Sequence, residues 1–440
     1  MSDHHVSFKD LPAGGEKFEP AKASKLIGLF GALGGLGILG SLYFFLNSAT
    51  RPAFSYSWLF AIFFCFTFVC GGCFWILLHN ASNSSWGVVI RRLFENLGVL
   101  AIPLGLLAAP LLFKPVNEHL YEWMNHHRTA AAHAAEHHTT VAEALHHMSL
   151  ENPHLHPLVE KFGYLNNSTW FSWTTRFVAY FGILGFIAFT LRNKFLCQEK
   201  DGAIKHTIRA RQFACITLFP FALTVTFAAV DWLMGLDYLW FSTMWGVYIF
   251  AGCAWSSMAL MLLLVSYLRG LGYLQKVVTM EHYHLMGKLL FAFTVFWAYI
   301  AFSQYFLIWY ANIPEETRFY FIRNTEGWRW VSIFIVIGHF IAPFVVLLSQ
   351  PRKKNPKVIC AIALWVILMH LVDIYWNVVP ERAPSLGVDS VLVPNAWVGD
   401  IVALCAVAGT LGYLYLRSLG ANSLYAWRDP RLIESINVKN

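Results

Sequence analysis

The stretch VICAIALWVILMHLVDIYWNVV, residues 358–379, has two ionisable side chains apart from Cys360 and Tyr375: His370 and Asp373. A bilayer core of about 30 Å takes about twenty residues at a rise of 1.5 Å each, so this run is long enough to cross one. Lipid offers the backbone no hydrogen-bond partner, which makes the run helical. Nine further runs read the same way, near 26–47, 58–78, 92–113, 170–191, 210–231, 240–268, 285–311, 328–348 and 396–417. The fold class that follows is an all-α integral membrane protein of about ten transmembrane helices. Breaks are predicted near Pro103, Pro110, Pro220 and Pro343, where an N–H is missing.

Composition agrees with that reading. Of the 440 residues 57% are hydrophobic and 13% charged, against roughly 25% charged in a soluble domain. The formal charge of +7 needs no nucleic acid to explain it. Distributed between the two sides of ten spans, 23 Lys and Arg fall on the side of the termini and 9 on the other, which accounts for all 32. By the positive-inside rule both termini are expected in the cytoplasm. The organisation is then a cytoplasmic tail (1–25), three spans (26–113), an outer insertion (114–169), seven spans (170–417) and a second cytoplasmic tail (418–440). The first 25 residues are polar, so no cleavable signal is expected.

The eight cysteines lie mostly in apolar runs and read as packing residues rather than disulfides. CGGC at 70–73 is followed by Phe74 rather than the His of a haem attachment motif. Two-haem ligation takes two pairs of facing histidines, whereas only His339 and His370 lie deep in spans, and no dinucleotide, P-loop or HExxH motif is present. No cofactor or metal is expected on this chain. The insertion carries ten of the eighteen histidines, among them His133 and His137 at i, i+4. With no cysteine and no motif that fixes a geometry, it reads as a solvated, partner-facing helical hairpin rather than a zinc or copper site.

Ionisable residues inside spans are costly and mark either proton paths or helix-to-helix clasps. His370 and Asp373 share a helix face at i, i+3, and His339 lies mid-way along the preceding, antiparallel span, so the three are expected to converge. They are the first candidates for a proton pathway, followed by Asp231 in AVDWLMGLDYLWFS (229–242). Secondary candidates are Asp237 in that stretch, Lys288 in the entrance motif EHYHLMGK (281–288), and Gln304 in FSQYFLIWY (302–310).

FAFTVFWAYIAFSQYFLIWYANIPEET (291–317), AVDWLMGLDYLWFSTMWGVY (229–248) and MHLVDIYWNVVP (369–380) resemble the NrfD-like membrane subunits, relatives of the polysulfide reductase anchor. Within that family the resemblance is to the F subunits of bacterial alternative complex III, a quinol:electron-acceptor oxidoreductase. It implies two four-helix bundles, spans two to five and six to nine, flanked by one helix on each side, in a bacterial inner membrane. It also implies partners: a second NrfD-like subunit and outer subunits carrying haem c and iron–sulfur clusters, with surrounding lipid and a terminal oxidase. Menaquinone or another quinone is the family's substrate. In the first bundle of this chain Asp231 has no intramembrane His beside it, which argues against a working quinol site there. The proton path carries over onto His339, His370 and Asp373. The expected role is an accessory, non-catalytic subunit contributing assembly and a proton pathway; the alternatives are a pure scaffold and, behind it, a secondary transporter.

Overall fold

The computed structural model describes residues 6–167, 170–387 and 396–439, and these are helical almost throughout. Ten of the helices are long and apolar enough to cross a membrane, the pattern of a multi-pass membrane protein. In chain order they are span 1 (Pro20–Leu46), span 2 (Arg51–Ala81), span 3 (Val88–Leu112), span 4 (Trp173–Asp201) and span 5 (Ile204–Leu236). They continue with span 6 (Trp245–Gly270), span 7 (Met280–Ala311), span 8 (Gly327–Leu347), span 9 (Pro356–Ser385) and span 10 (Ala396–Ser418).

The prolines act unequally. Span 3 is interrupted after Gly98, resumes over Ala101–Ala108 and ends in a 3-10 turn, Ala109–Leu112, that contains Pro110. Pro343 follows a π-turn. The break expected near Pro220 is absent: Ile204–Trp232 is one helix with that proline inside it. A single missing N–H removes one hydrogen bond, and close packing on neighbouring helices suffices to keep the rest. Span 2 also starts earlier than hydropathy suggests, because its first turns bury Ser55, Tyr56 and Ser57 against protein rather than lipid.

Spans 2 to 5 close one four-helix bundle and spans 6 to 9 a second, with spans 2 and 6 back to back at the seam. Spans 1 and 10 pair with each other and lie against span 2. Small residues set these distances, as they do wherever membrane helices approach closely. A Cβ on Gly71 would fall 2.2 Å from the Cys253 carbonyl oxygen across the seam, and one on Gly37 would fall 2.3 Å from the Ala406 nitrogen of span 10. Span 2 is consequently the most enclosed helix, while span 1 turns most of its surface outward.

Both tails lie on one face, here the tail face. The Val6 N–H donates to Asn437 Oδ1 (3.0 Å), Leu424 N–H to the Glu16 carbonyl (2.8 Å), and Arg91 reaches Asp429 at 2.6 Å. Arg91 and Arg431 together hold the Asp429 carboxyl well below the usual carboxylate range. On the far face the insertion folds into two packed helices, Glu122–His137 and Val141–Glu151, and docks on the first bundle through the Tyr121 hydroxyl, which donates to the Trp232 carbonyl (3.2 Å).

Candidate functional site

Span 8 changes register where it carries His339. Val336–Ile341 is a π-turn, a form found mostly as short insertions and frequently at functional sites. Its cause is local. Ala342 N–H donates to the Ile337 carbonyl, and the next N–H in that register would come from Pro343, which has none. The Gly338 carbonyl thus left over accepts instead from the Trp365 indole of span 9, at 2.7 Å. The turn aims His339 into the second bundle, where its ring lies between two indoles. Centroids are 4.0 Å from Trp255 and 3.6 Å from Trp297, with planes 22° and 25° apart.

The sequence-predicted trio meets there. His339, His370 and Asp373 are 0%, 1% and 1% exposed, and His339 Nε2 lies 3.9 Å from Asp373 Oδ2. That gap is too long for a hydrogen bond, so both nitrogens of His339 stand without a partner. Asp373 is held by its other oxygen: the Tyr248 hydroxyl donates to Oδ1, and Asn377 Nδ2 lies 3.4 Å from it. Asn377 also donates to the Asp373 carbonyl at 2.7 Å, one helical turn away. His370 Nε2 meets Thr67 Oγ1 of span 2 at 2.8 Å, across the seam, while Nδ1 has no partner. Room for the His370 ring comes from Gly252, whose added Cβ would lie 2.9 Å from its Cε1. Along the chain outward, Arg323 donates to the carbonyls of Trp376 (3.0 Å) and Asn377 (2.9 Å) and pairs with Glu381 at 3.0 Å.

A cavity of about 770 Å³ adjoins the trio. Tyr248 and Trp297, which touch Asp373 and His339 respectively, form part of its wall; Asn312, Asn324 and Arg329 stand at its far-face end. As donors, two histidines and a carboxylate suit a first-row transition ion. Their ligand atoms spread over as much as 4.8 Å, however, whereas ligands about 2.1 Å from a tetrahedral zinc lie about 3.4 Å apart. The trio is thus spread wider than a tetrahedral zinc would draw its ligands.

The remaining candidates lie elsewhere. Asp231, in the first bundle, forms a two-pronged pair with Arg176 of span 4 (2.8 and 2.9 Å) and accepts a further hydrogen bond from the Tyr180 hydroxyl. Arg176 in turn stacks on Tyr164 of the insertion, 4.1 Å from the ring centre. Asp237 pairs with Arg318 at 2.8 Å on the far face. Gln304 is buried in the cavity wall with Oε1 unpartnered. At the tail-face end of span 7, Glu281 pairs with Lys354 (2.6 Å) and lies 3.7 Å from His284, while Lys288 stands one turn further on, exposed.

Sequence reasoning passed over Thr67, Tyr248, Trp255 and Trp297, which reach the trio from other helices and carry no local signal. Asn377 did have one, standing at i+4 from Asp373. All eight cysteines are free thiols. No protein-family model matches this chain, and neither does any curated protein.

Proposed function

We propose that this chain is an integral membrane subunit of a quinol-oxidising respiratory complex, and that its second bundle carries a proton path through His339, Asp373 and His370. The observation that carries this reading is the orphaned His339 imidazole beside a carboxylate that has no Lys or Arg partner among the described residues. Such groups, expensive in hydrocarbon, are the material of intramembrane proton relays. A neutral imidazole takes a proton on one nitrogen and releases one from the other, and here both are uncommitted. The two indoles restrict the ring to motion in its own plane, so closing the 3.9 Å gap to Asp373 takes a slide of about 1 Å rather than a flip. Tyr248 and Asn377 keep the carboxylate turned toward it.

The resemblance to alternative complex III supplies the setting: a bacterial inner membrane with both termini cytoplasmic, a second NrfD-like subunit, and outer partners whose haem c and iron–sulfur clusters take the electrons. The charge count of 23 against 9 supports that orientation. Quinol oxidation is assigned to a partner. In the first bundle Asp231 is already neutralised by Arg176, which leaves it no role as proton acceptor for a quinol. The scaffold reading is favoured by one observation, that the hydrogen bonds from His370 end at Thr67 and the Phe64 carbonyl rather than at the tail face.

One experiment separates the two. In liposomes containing the intact complex, Asp373→Asn and His339→Gln are expected to leave quinol oxidation running, with its own one proton per electron, while the protons translocated beyond that drop at least tenfold. Unchanged stoichiometry in both variants would make the subunit a scaffold.

A further inference from the structure

The hydrogens around His370 can be assigned from the partners available to them. A threonine hydroxyl has one hydrogen to give. Thr67 Oγ1 lies 2.7 Å from the Phe64 carbonyl, one turn back on span 2, and 2.8 Å from His370 Nε2. If the hydroxyl donated to Nε2, the neutral ring would carry its proton on Nδ1, where no acceptor stands among the described residues. That would bury an unpaired N–H, which is rare and costly. In the opposite arrangement Nε2–H donates to Thr67 Oγ1 and the hydroxyl donates to the Phe64 carbonyl. Every hydrogen then has an acceptor, and all that is left over is a lone pair on Nδ1.

We infer that Thr67, a residue of the first bundle, is a positioning residue that fixes His370 of the second bundle as its Nε2–H tautomer, with bare Nδ1 as the proton-accepting atom of the trio. The geometry around the ring agrees. Gly252 leaves Nδ1 uncovered: a Cβ there would lie 3.3 Å from that atom and 2.9 Å from Cε1. The ring is held from two further sides by Phe64 and Phe68 of span 2, at centroid distances of 5.9 and 6.0 Å. Ring flips that would exchange the two nitrogens therefore require span 2 to give way. The titratable groups facing His370 are His339 and Asp373, all three having ligand atoms within 4.8 Å of one another. Since Nε2–H is committed to a hydroxyl whose own hydrogen ends on a backbone carbonyl, His370 is a terminus: it loads and unloads at Nδ1. Its state is thereby tied to the seam between the bundles, because a displacement of span 2 against span 9 breaks the bond that sets the tautomer.

The functional part of this inference rests on the proton path proposed above; the tautomer does not. The test uses the full chain in its complex, labelled with 15N-histidine, with the His370 signals identified by their loss in His370→Gln. Wild type and Thr67→Ser, which keeps the hydroxyl, are expected to show a protonated Nε2 and a bare Nδ1. Thr67→Val, of nearly the same shape without the hydroxyl, is expected to move the proton to Nδ1 in a large fraction of molecules and to lower about tenfold the protons translocated beyond those that quinol oxidation itself frees, with quinol oxidation retained. A wild-type His370 protonated on Nδ1, or a tautomer indifferent to Thr67→Val, would overturn the inference. A tautomer that shifts while proton translocation is undiminished upholds the role of Thr67 and removes His370 from the proton path.

Discussion

The two bundles each bury an aspartate near one end of a long helix, and they treat it in opposite ways. In the first, Asp231 is gripped by both prongs of Arg176 and by Tyr180, and the arginine is itself stacked on the insertion. In the second, Asp373 receives a tyrosine in the same manner, from Tyr248, but where an arginine would stand there is a histidine 3.9 Å away. The difference teaches what separates a clasp from a relay. A guanidinium keeps its proton, so the partner of the first carboxylate has none to exchange. An imidazole, unlike a guanidinium, can take up and give up a proton, so the neighbour of the second carboxylate is of the kind a relay needs.

The largest expected effect follows from breaking the clasp. Asp231→Asn strands a buried guanidinium, which costs about 3–5 kcal/mol, whereas replacing both partners by apolar residues of similar volume is expected to restore much of the loss. Thermal unfolding of the purified complex reads this directly. A single variant as stable as wild type would show that Arg176 has another partner in waiting.

Acid reaches the same region from outside the membrane. His127, in the insertion that buttresses Arg176, is pushed down to about 4 by burial and, secondarily, by neighbouring His126; it stacks on Phe162 at 5.1 Å. Its folded-state value lies below the ordinary 6.5, so the unfolded insertion binds the extra proton first. Stability is complete above about pH 6.5 and falls between there and about pH 4, by about 3 kcal/mol at most. Hydrogen exchange across 122–160 at pH 7 and pH 4.5 tests this. His127→Phe should flatten the dependence, and a profile unaltered by that change would put the acid sensitivity elsewhere.

In the second bundle the corresponding structural device is the π-turn. Trp365→Phe keeps the ring and removes the indole N–H, leaving the Gly338 carbonyl unsatisfied at a cost of about 1–3 kcal/mol. Loss of proton translocation beyond what that destabilisation explains would show that the aim of His339 depends on this hydrogen bond; a variant with normal stability would mean another donor serves Gly338.

The sequence carried some of this and not the rest, for reasons that can be stated. Spans were legible because lipid imposes length and apolar composition on each helix separately, and the convergence of His339, His370 and Asp373 followed from an i, i+3 spacing and one antiparallel neighbour. Arg176 as the partner of Asp231, 55 positions away, was not legible, since ion pairing depends on which helices touch. Nor was Thr67, 303 positions from His370. Pro343 did announce an irregularity, but Pro220 announced one that packing suppressed.

The smallest expected change in stability is the one that most sharpens the comparison. Asp373→Asn replaces a carboxyl that no arginine or lysine pairs with among the described residues, and the amide oxygen can still accept from Tyr248. It strands nothing comparable to Arg176, so stability is expected to stay within about 1 kcal/mol of wild type, against 3–5 for Asp231→Asn. The same substitution at chemically identical residues would then separate the bundles twice over: the first loses stability, the second its proton translocation. If Asp373→Asn instead unfolds the protein as Asp231→Asn does, then Asp373 is a clasp as well, and the orphaned His339 is its missing cation, present in the charged form and paired across the 3.9 Å gap.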